Sequence, residues 1–327
     1  MIERFAAFIE QHDLYIITTH DPADADGLGT EMVFACILRE RGKQFRIINA
    51  GPVPQQFTFM DPEGIIEQWD NEKHGALPEC AALLIVDTAE EDNIGCMKEA
   101  VLKSREVFII DHHQPSPNGK GVSFSGIIDP TASSACELAV ELAEAAGIAL
   151  DSRAAWAAYT GIVFDTGSFA YSKTGLRTFK AALKLLELGV NPGMVHHHLC
   201  ENASTGTLLL QKKAISGMTL HCQDRVAVQL LRREDFAETG AGPNDTDGFV
   251  NVPLKSREIA VSIMLKEPPE GGVRCSLRSK GALNVAEIAR NFGGGGHINA
   301  AGFKSNLDIE RALAIVLEKI TGYLDKP

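Results

Sequence analysis

Apolar and polar residues follow two alternating patterns along the first half of the chain. Short, nearly continuous apolar runs are typical of strands buried on both faces of a sheet. Four such runs occur, at Leu14–Thr19, Phe45–Asn49, Ala81–Val86 and Val107–Ile110. Apolar residues at helical spacing lie between them, over Leu28–Arg41 and about Asn93–Lys103. Strands that alternate with helices predict a parallel α/β sheet, which binds its ligands at the carboxyl ends of its strands.

The second half of the chain predicts a smaller α/β domain. A mostly helical pattern runs from Ser133 to about Gly189, and Asn191, Pro192 and Gly193 end it. Beyond a helical connector, strand and helix patterns return at Arg225–Leu231, Ile259–Leu265, Gly272–Leu277, Val285–Asn291 and Ile309–Tyr323. The chain of 327 residues exceeds the ~100–200 residues of one typical domain. We therefore expect domains over residues 1–190 and 218–327, joined by a connector over 191–217.

The net charge of the chain limits the kinds of partner that we expect it to bind. It contains 43 acidic and 31 basic residues and has a net charge of −12. A protein that grips long nucleic acid presents a basic stripe to the phosphates, and the sequence contains no such stripe. Carboxylates that bind divalent cations would explain part of the excess and would attract a small phosphate instead.

Hydropathy and cysteine usage indicate the compartment. No apolar run in the sequence approaches the ~20 residues that span a bilayer, and the first thirty residues lack the pattern of a signal peptide. The seven cysteines stand singly, without a C-x-x-C pair, which favours buried free thiols over disulfides or structural zinc. We expect a cytoplasmic protein without a membrane partner.

Candidate chemistry begins directly after the first predicted strand. In the segment HDPADADGLGT, His20, Asp24 and Asp26 lead from the strand through a glycine-bearing loop to the helix expected near Leu28. Imidazole together with carboxylates suits Mn²⁺, Fe²⁺, Co²⁺ or Mg²⁺ better than a structural zinc ion. A polar turn that caps the helix is the alternative for this segment taken alone.

Three later apolar segments also end in acid or imidazole. They are followed by Asp87, by the triplet Asp111, His112 and His113, and by Asp165. The triplet permits one metal-binding and one phosphate-facing imidazole, with the carboxylate to orient them. Helix caps and a surface histidine pair are the ordinary alternatives. So many charges in one crevice would be costly unless cations neutralised them, which favours a shared metal centre.

A further motif, VRCSLRSKGALNVAEIARNFGGGGHINAAGF, lies near the C-terminus. Consecutive glycines let the backbone approach a ligand and present several N–H groups to an anion. An arginine after a strand offers a planar fork for phosphate. A flexible turn is the alternative for the glycine run. The candidate substrate-binding residues are Arg278, Ser279, Gly294, Gly295, Gly296 and His297.

These motifs, in this order and at this spacing, resemble the DHH phosphoesterase superfamily, which is named after the triplet at residues 111–113. The SLRS segment followed by the glycine run resembles the DHHA1 substrate-binding domain. The resemblance covers nearly the whole chain and, among DHH–DHHA1 proteins, points to the bacterial nano-RNase and pAp-phosphatase group. It implies an α/β protein with an N-terminal parallel-sheet DHH domain and a smaller C-terminal α/β DHHA1 domain.

The resemblance also implies two divalent metal ions. Mn²⁺ is favoured, with Mg²⁺ or Co²⁺ as alternatives. One ion is assigned to His20, Asp24 and Asp87, and the other to Asp26, Asp87, His112 and Asp165. Two such ions can activate a water molecule and clamp a phosphoryl group for in-line attack. His113, oriented by Asp111, is the candidate to contact the phosphate or to protonate the leaving oxygen.

The implied activity is hydrolysis of phosphoester bonds in short oligonucleotides, removal of the 3′-phosphate of pAp, or both. The expected partners are therefore short oligonucleotides or mononucleotide phosphates. A cyclic-dinucleotide or pApA phosphodiesterase is the alternative enzyme, because its site would use the same residues. A non-catalytic nucleotide-binding protein is the alternative of another class, but it predicts a lost ligand, whereas all six are present. A homodimer is left open.

Overall fold

The computed structural model describes residues 2–74, 77–78, 81–104, 106–114, 125–281 and 283–324. The chain divides into two units, Met1–Asn202 and Ala203–Pro327. This boundary falls inside the expected connector 191–217, which contains one helix of each unit. Among the described residues, no helix is both long and apolar enough to cross a bilayer. The six described cysteines are free; contrary to the expectation of burial, Cys96 and Cys200 are exposed.

The first unit is an α/β layer structure. Its strands are β1 (Leu14–Thr18), β2 (Gln44–Asn49), β3 (Ile66–Gln68), β4 (Ala82–Val86), β5 (Val107–Asp111) and β6 (Ser125–Ile128). Its helices are α1 (Ile2–Gln11), α2 (Ala25–Glu40), α3 (Asn71–His74), α4 (Lys98–Lys103), α5 (Ala135–Ala145), α6 (Ser152–Asp165), α7 (Leu176–Glu187) and α8 (Pro192–Cys200). Where one helix was expected over 93–103, a short 3₁₀ helix with Gly95 at φ 56° precedes α4.

The strands of the first unit pair in the order β3-β2-β1-β4-β5-β6, and each of these pairs is parallel. The predicted parallel sheet is confirmed. Neighbouring residues such as Ile16 and Ile17 are buried in different apolar clusters, which explains the continuous apolar runs. The pattern did not predict β3 and β6, because both are short and partly exposed.

Helix α2 lies at the centre of the first unit, and its residues from Ala25 to Leu38 are all buried. It begins at Ala25 instead of near Leu28, because Asp24 Oδ1 accepts the N–H groups of Asp26 and Gly27 at 2.9 and 3.1 Å. Asp24 is therefore the N-cap of α2. The sequence predicted a loop at Asp26, but this residue lies in the first turn of α2.

Two glycines permit the close approach of α2 to α5 and α6. A Cβ atom at Gly29 would lie 2.6 Å from the carbonyl oxygen of Ala157. A Cβ atom at Gly161 would lie 2.5 Å from Cys136 Sγ and 3.0 Å from the Cα of Asp26. Side chains at these positions would have to push the helices apart.

The second unit is a smaller mixed sheet with helices, as predicted. Its strands are β7 (Thr219–His221), β8 (Val226–Leu231), β9 (Val261–Lys266), β10 (Val273–Ser279), β11 (Gly295–His297) and β12 (Ala300–Ser305). Its helices are α9 (Thr205–Ser216), α10 (Arg233–Thr239), α11 (Val285–Arg290) and α12 (Ile309–Leu324). The strand order is β11-β12-β10-β9-β8-β7, with β8 and β9 parallel and the other pairs antiparallel.

We expect Gly161→Ala to lower the free energy of unfolding by about 1–3 kcal/mol, because the new methyl group overlaps Cys136 and the start of α2. Gly322→Ala is the matched control: it places the same substitution in α12, where a Cβ meets no atom within 4 Å. Stability should be unchanged or slightly raised there. Urea unfolding followed by circular dichroism measures both, and a neutral Gly161→Ala would contradict the packing argument.

Candidate metal centre

Adjacent parallel strands bring the candidate residues to one edge of the first sheet. β1, β4 and β5 are neighbours. His20 lies two residues beyond β1, while Asp87 and His112 directly follow β4 and β5. The N–H of Asp87 donates to the carbonyl oxygen of Ile110 at 2.8 Å, and Asp87 has a φ of 60°. Left-handed backbone at a non-glycine residue is strained, and such residues concentrate at functional sites.

Asp87 presents one carboxylate oxygen to each of two histidines. Its Oδ2 lies 3.4 Å from His20 Nε2, and its Oδ1 lies 3.4 Å from His112 Nε2. The side chain is only 2% exposed. Because the two oxygens face different imidazoles, this carboxylate is placed to contact two cations at once.

The first group of possible ligands combines β1, the cap of α2 and β4. It consists of His20, Asp24 and Asp87, whose ligand atoms lie within 4.8 Å of one another. His20 Nε2 is 3.6 Å from Asp24 Oδ1. Since that oxygen also caps α2, the helix start fixes its position.

The second group combines α2, β5 and α6. It consists of Asp26, His112 and Asp165, again with ligand atoms within 4.8 Å. His112 Nε2 lies 3.7 Å from Asp26 Oδ2 and 3.3 Å from Asp165 Oδ2. The fold thus brings all six predicted ligand residues into two adjoining groups around Asp87; their role as ligands stays a prediction.

Buried polar atoms in these groups fit cations. Within the described part of the chain, Asp87 Oδ1 and both ring nitrogens of His112 are buried and have no hydrogen-bond partner. Such atoms are costly unless something satisfies them. A set of carboxylate oxygens and imidazole nitrogens matches what Mn²⁺ and similar ions bind, so the residues fit divalent metal ions.

Burial and neighbouring acids disfavour the charged form of two carboxylates of the site, Asp26 and Asp165. Burial, followed by Asp87 and Asp165, raises the pKa of Asp26 well above its usual range. Burial and the charges of Asp87 and Asp24 raise the pKa of Asp165 to about 6, although His112 opposes them. Burial lowers the pKa of His112, but the nearby acids outweigh it and raise that pKa to about 9. The cluster therefore attracts positive charge.

A helix N-terminus supports Asp26. Its Oδ2 accepts the N–H of Ala135 at 2.6 Å, and its Oδ1 accepts that of Cys136 at 2.9 Å. Both N–H groups belong to the first turn of α5, which Ser134 caps. Unpaired N–H groups at a helix start stabilise a carboxylate. Nothing in the sequence near Asp26 indicated this contact, because α5 lies more than a hundred residues away.

A second set of contacts, next to His20, was also not predicted from the sequence. Asn49 Oδ1 accepts the N–H of Thr19 at 3.1 Å, and Asn49 Nδ2 donates to Glu31 Oε2 at 3.1 Å. Glu31 is fully buried, and burial raises its pKa well above the usual range. Asn49 is the last residue of β2, so the strand-end argument that found Asp87 could have found it.

The triplet after β5 holds one histidine with a carboxylate. Asp111 Oδ1 lies 2.8 Å from His113 Nδ1 and accepts the backbone N–H groups of His112 and His113 at 2.8 and 3.1 Å. This contact with Asp111 is the main reason that the pKa of His113 is raised. Lys173 Nζ donates to the carbonyl oxygen of His112 at 3.2 Å. No motif indicated Lys173, which lies in the turn after Asp165.

The candidate substrate-binding residues lie in the second unit, around β10 and β11. Arg278 Nη1 donates to the carbonyl oxygen of Leu277 at 3.0 Å. The Ser279 hydroxyl is turned inward, since it donates to the carbonyl oxygen of Leu283 at 2.7 Å and accepts from Asn299 at 2.9 Å. Their role in binding substrate stays a prediction.

Packing also explains part of the glycine run, in addition to the proposed contact with an anion. Gly295 and His297 bound β11, so half of the expected loop is a strand paired with β12. A Cβ at Gly294 would lie 2.2 Å from the Gly302 carbonyl oxygen, and Gly296 has a φ of 136°. Larger residues would therefore disturb the β11–β12 pairing. The side chain of His297 lies outside the described parts.

Two family models match the chain. The DHH family, N-terminal domain, matches residues 15–162, and the DHHA1 domain matches residues 223–323. The fold and the acid-rich strand ends thus define the class as a DHH-type phosphoesterase. With the second match, the chain belongs to the DHH–DHHA1 family, and the resemblance seen in the sequence is confirmed.

Individual relatives span most of the chain. The bifunctional oligoribonuclease and PAP phosphatase NrnA of Thermus thermophilus is 27% identical over 94% of this chain and 89% of its own length. The cyclic-di-AMP phosphodiesterase PdeA of Listeria monocytogenes is 26% identical over 96% of this chain but 48% of its own length. The crystal structure of an exopolyphosphatase-related protein from Bacteroides fragilis superposes with a TM-score of 0.89 at 25% identity, covering 99% of this chain and 97% of the other.

We expect Asp165→Asn to stabilise the metal-free protein at pH 8 and to destabilise it relative to wild type when Mn²⁺ is added. At pH 8 the carboxylate is ionised above its raised pKa of about 6, so the fold carries a penalty that asparagine removes. One pKa unit corresponds to about 1.4 kcal/mol, and a gain of about 1–2 kcal/mol is expected. Bound ions should stabilise the wild type more.

Urea unfolding with EDTA and with Mn²⁺ measures this reversal. If Asp165→Asn is the less stable protein in both conditions, the ion pair with His112 outweighs the repulsion among the acids.

Proposed function

We propose that the protein uses two divalent metal ions, with Mn²⁺ favoured, to hydrolyse phosphoester bonds in short oligonucleotides, the 3′-phosphate of pAp, or both. The observation that carries the proposal is Asp87, whose two oxygens face His20 and His112 in adjoining ligand groups. When bound, a pair of ions there would polarise a phosphoryl group and activate water for attack on it.

Side chains of the protein itself would supply the other contributions to the proposed reaction. Asp24, held by the first turn of α2, and Asp26, held by the first turn of α5, keep their carboxylates at fixed positions. Asp111 engages Nδ1 of His113, so Nε2 is the atom that would meet the phosphate or the leaving oxygen. An imidazole held in one orientation can donate a proton there.

The size of the proposed substrate is inferred from the net charge of the chain and from the candidate binding residues of the second unit. A net charge of −12 opposes long polyanions, whereas a small phosphate can be held by a few donors. We propose that Arg278, with backbone N–H groups of Gly295 and Gly296 and the side chain of His297, binds a terminal phosphate of the substrate. Gly294 would contribute by its small size, because its N–H already donates to the carbonyl oxygen of Ala289 at 3.0 Å. Ser279 would act mainly by holding Arg278 in place as its neighbour in β10, and less by contacting the substrate. Its hydroxyl already donates to the carbonyl oxygen of Leu283 in the second unit.

The name of the Thermus relative supports the main proposal, because that match extends over 89% of the relative. The name of the Listeria relative supports a second candidate, a cyclic-dinucleotide phosphodiesterase, although the chain spans only 48% of it. Initial rates with Mn²⁺ on pApA, pAp, cyclic di-AMP, short RNAs and pyrophosphate separate the candidates. The main proposal predicts preference for pApA, short RNAs or pAp.

Asp87→Asn should reduce hydrolysis of pApA by more than roughly a hundredfold, because it weakens a contact common to both ions. Calorimetric titration of Mn²⁺ should show loss of binding in the same variant. Asp13→Asn is the matched control, since that carboxylate is fully exposed, and it should leave both readouts unchanged. Full turnover by Asp87→Asn would refute the two-ion assignment.

Arg278→Ala should raise KM for pApA roughly ten- to a hundredfold with kcat little changed, as expected for loss of a charge-assisted hydrogen bond to a ground-state phosphate. Arg257→Ala is the control, because that side chain belongs to the same unit and is 92% exposed. Steady-state kinetics at several pApA concentrations measure both. A KM equal to wild type would remove Arg278 from the substrate site.

A further inference from the structure

One fully buried acid of the first unit is not among the candidate metal ligands. Glu31 lies in α2 and is 0% exposed. Its Oε2 accepts a hydrogen bond from Asn49 Nδ2 at 3.1 Å, whereas its Oε1 is buried and, within the described chain, has no hydrogen-bond partner. An apolar side chain would occupy such a place at a lower cost in free energy. The buried carboxyl therefore indicates a role other than packing.

Asn49 connects Glu31 to the end of β1. Its Oδ1 accepts the backbone N–H of Thr19 at 3.1 Å and the hydroxyl of Thr18 at 3.3 Å. Because a backbone N–H can only donate, Oδ1 must face Thr19, and Nδ2 must then face Glu31. Glu31 thus fixes the orientation of the amide that holds the residue directly before His20.

Thr19 in turn connects the end of β1 to the end of β4. Its hydroxyl donates to the carbonyl oxygen of Val86 at 3.0 Å, and the N–H of Asp87 donates to the carbonyl oxygen of Ile110 at 2.8 Å. The Val86 carbonyl and the Asp87 N–H belong to one peptide group, so both of its polar atoms are held. Asp87 has a φ of 60°, and such a strained residue persists only where its surroundings fix it.

The start of α2 leaves space for the Thr19 hydroxyl. A Cβ atom at Gly27 would lie only 2.3 Å from Thr19 Oγ1, so a larger residue would have to displace the hydroxyl. Gly27 lies in the first turn of α2, and Glu31 lies one turn later on the same side of the helix. One side of α2 therefore leaves room for the hydroxyl and also carries the acid that orients Asn49.

We propose that three residues outside the ligand groups position His20 and Asp87, whose Nε2 and Oδ2 atoms lie 3.4 Å apart. They are Glu31, Asn49 and Thr19, and we call them the Glu31 network. The network acts through the backbone directly before each of the two candidate ligands. Its effect on ion binding rests on the two-ion function proposed above, whereas its effect on the metal-free site does not. Residues that orient metal ligands commonly change metal affinity ten- to a hundredfold.

Thr19→Val and Thr19→Ser are the first matched pair of variants. Valine has nearly the shape of threonine but lacks the hydroxyl, whereas serine retains it. Thr19→Val should weaken the binding of Mn²⁺ to the full chain roughly tenfold or more, and Thr19→Ser should restore most of the affinity. Calorimetric titration measures both. A Thr19→Val variant that binds Mn²⁺ like the wild type would contradict the proposal.

Glu31→Leu and Glu31→Gln separate the hydrogen bond of Glu31 from its charge. Glutamine keeps an oxygen that can accept from Asn49 but carries no charge, whereas leucine removes both. Glu31→Leu should weaken Mn²⁺ binding roughly tenfold, while Glu31→Gln should stay close to the wild type. Equal losses in the two variants would show that Glu31 acts by its charge and would overturn its positioning role.

Amide hydrogen exchange and crystal structures of the protein in EDTA test the network without ions. Glu31→Leu should speed the exchange of the Thr19 N–H roughly fivefold or more, since a hydrogen bond contributes about 1 kcal/mol. Thr19→Val should move His20 Nε2 away from Asp87 Oδ2. The serine and glutamine variants should show neither change. Circular dichroism checks that every variant is folded, and the two pairs change different links of the network, so one unfolded variant leaves the other pair to decide.

The metal-free measurements also separate this proposal from the proposed function. A wild type that binds no Mn²⁺ would refute the two-ion function, but the exchange rates and the separation of His20 from Asp87 would still test the network. Unchanged exchange in Glu31→Leu together with an unchanged separation in Thr19→Val would overturn the network, even if the wild type binds two ions.

Discussion

Mutual repulsion among buried carboxylates is the constraint on which the rest of the first unit depends. Asp26 and Asp87 are almost completely buried, and Asp165 lies within reach of the same imidazole. Ionised acids in such surroundings are unfavourable unless positive charge or N–H donors meet them. The fold supplies histidines and a helix N-terminus, which meet part of this charge. Divalent cations held by the two groups of possible ligands would meet more of it.

The packing of α2 connects that constraint to the hydrophobic core. The cap of this helix is Asp24, its first turn carries Asp26, and its later turns are buried against α5 and α6. Gly161 meets both Cys136 and the Cα of Asp26. Cys136, in turn, donates its N–H to Asp26. A change in helix spacing thus moves a carboxylate of the site, so core packing and site geometry are governed by the same contacts.

The second unit illustrates how one motif can serve two purposes. Gly294 and Gly296 are required where β11 approaches β12, because larger residues there would meet backbone atoms. The proposed anion contact would use backbone N–H groups of the same short segment. A glycine run can therefore be required both for packing and for binding. Only substitutions that affect packing and anion binding separately would show how much each of them requires the glycines.

Strand-end reasoning found the six candidate ligands because parallel strands place their carboxyl ends at one edge, whatever their distance along the chain. The fold class followed from the same periodicity. Short, partly exposed elements such as β3, β6 and β11 lack a continuous pattern and were missed. Asn49 could have been found by the rule that found Asp87, whereas Lys173 carried no local signal.

The sequence by itself determined the residue types of the candidate site, the order of their elements and the family, because these depend on residue identity and local periodicity. The tertiary structure decided that Asp87 turns its oxygens toward two different histidines, that Asp26 is held by the start of α5 and that Glu31 is buried beside Asn49. Such facts depend on which helix packs against which strand, and long-range contacts of that kind leave no trace in the spacing of neighbouring residues.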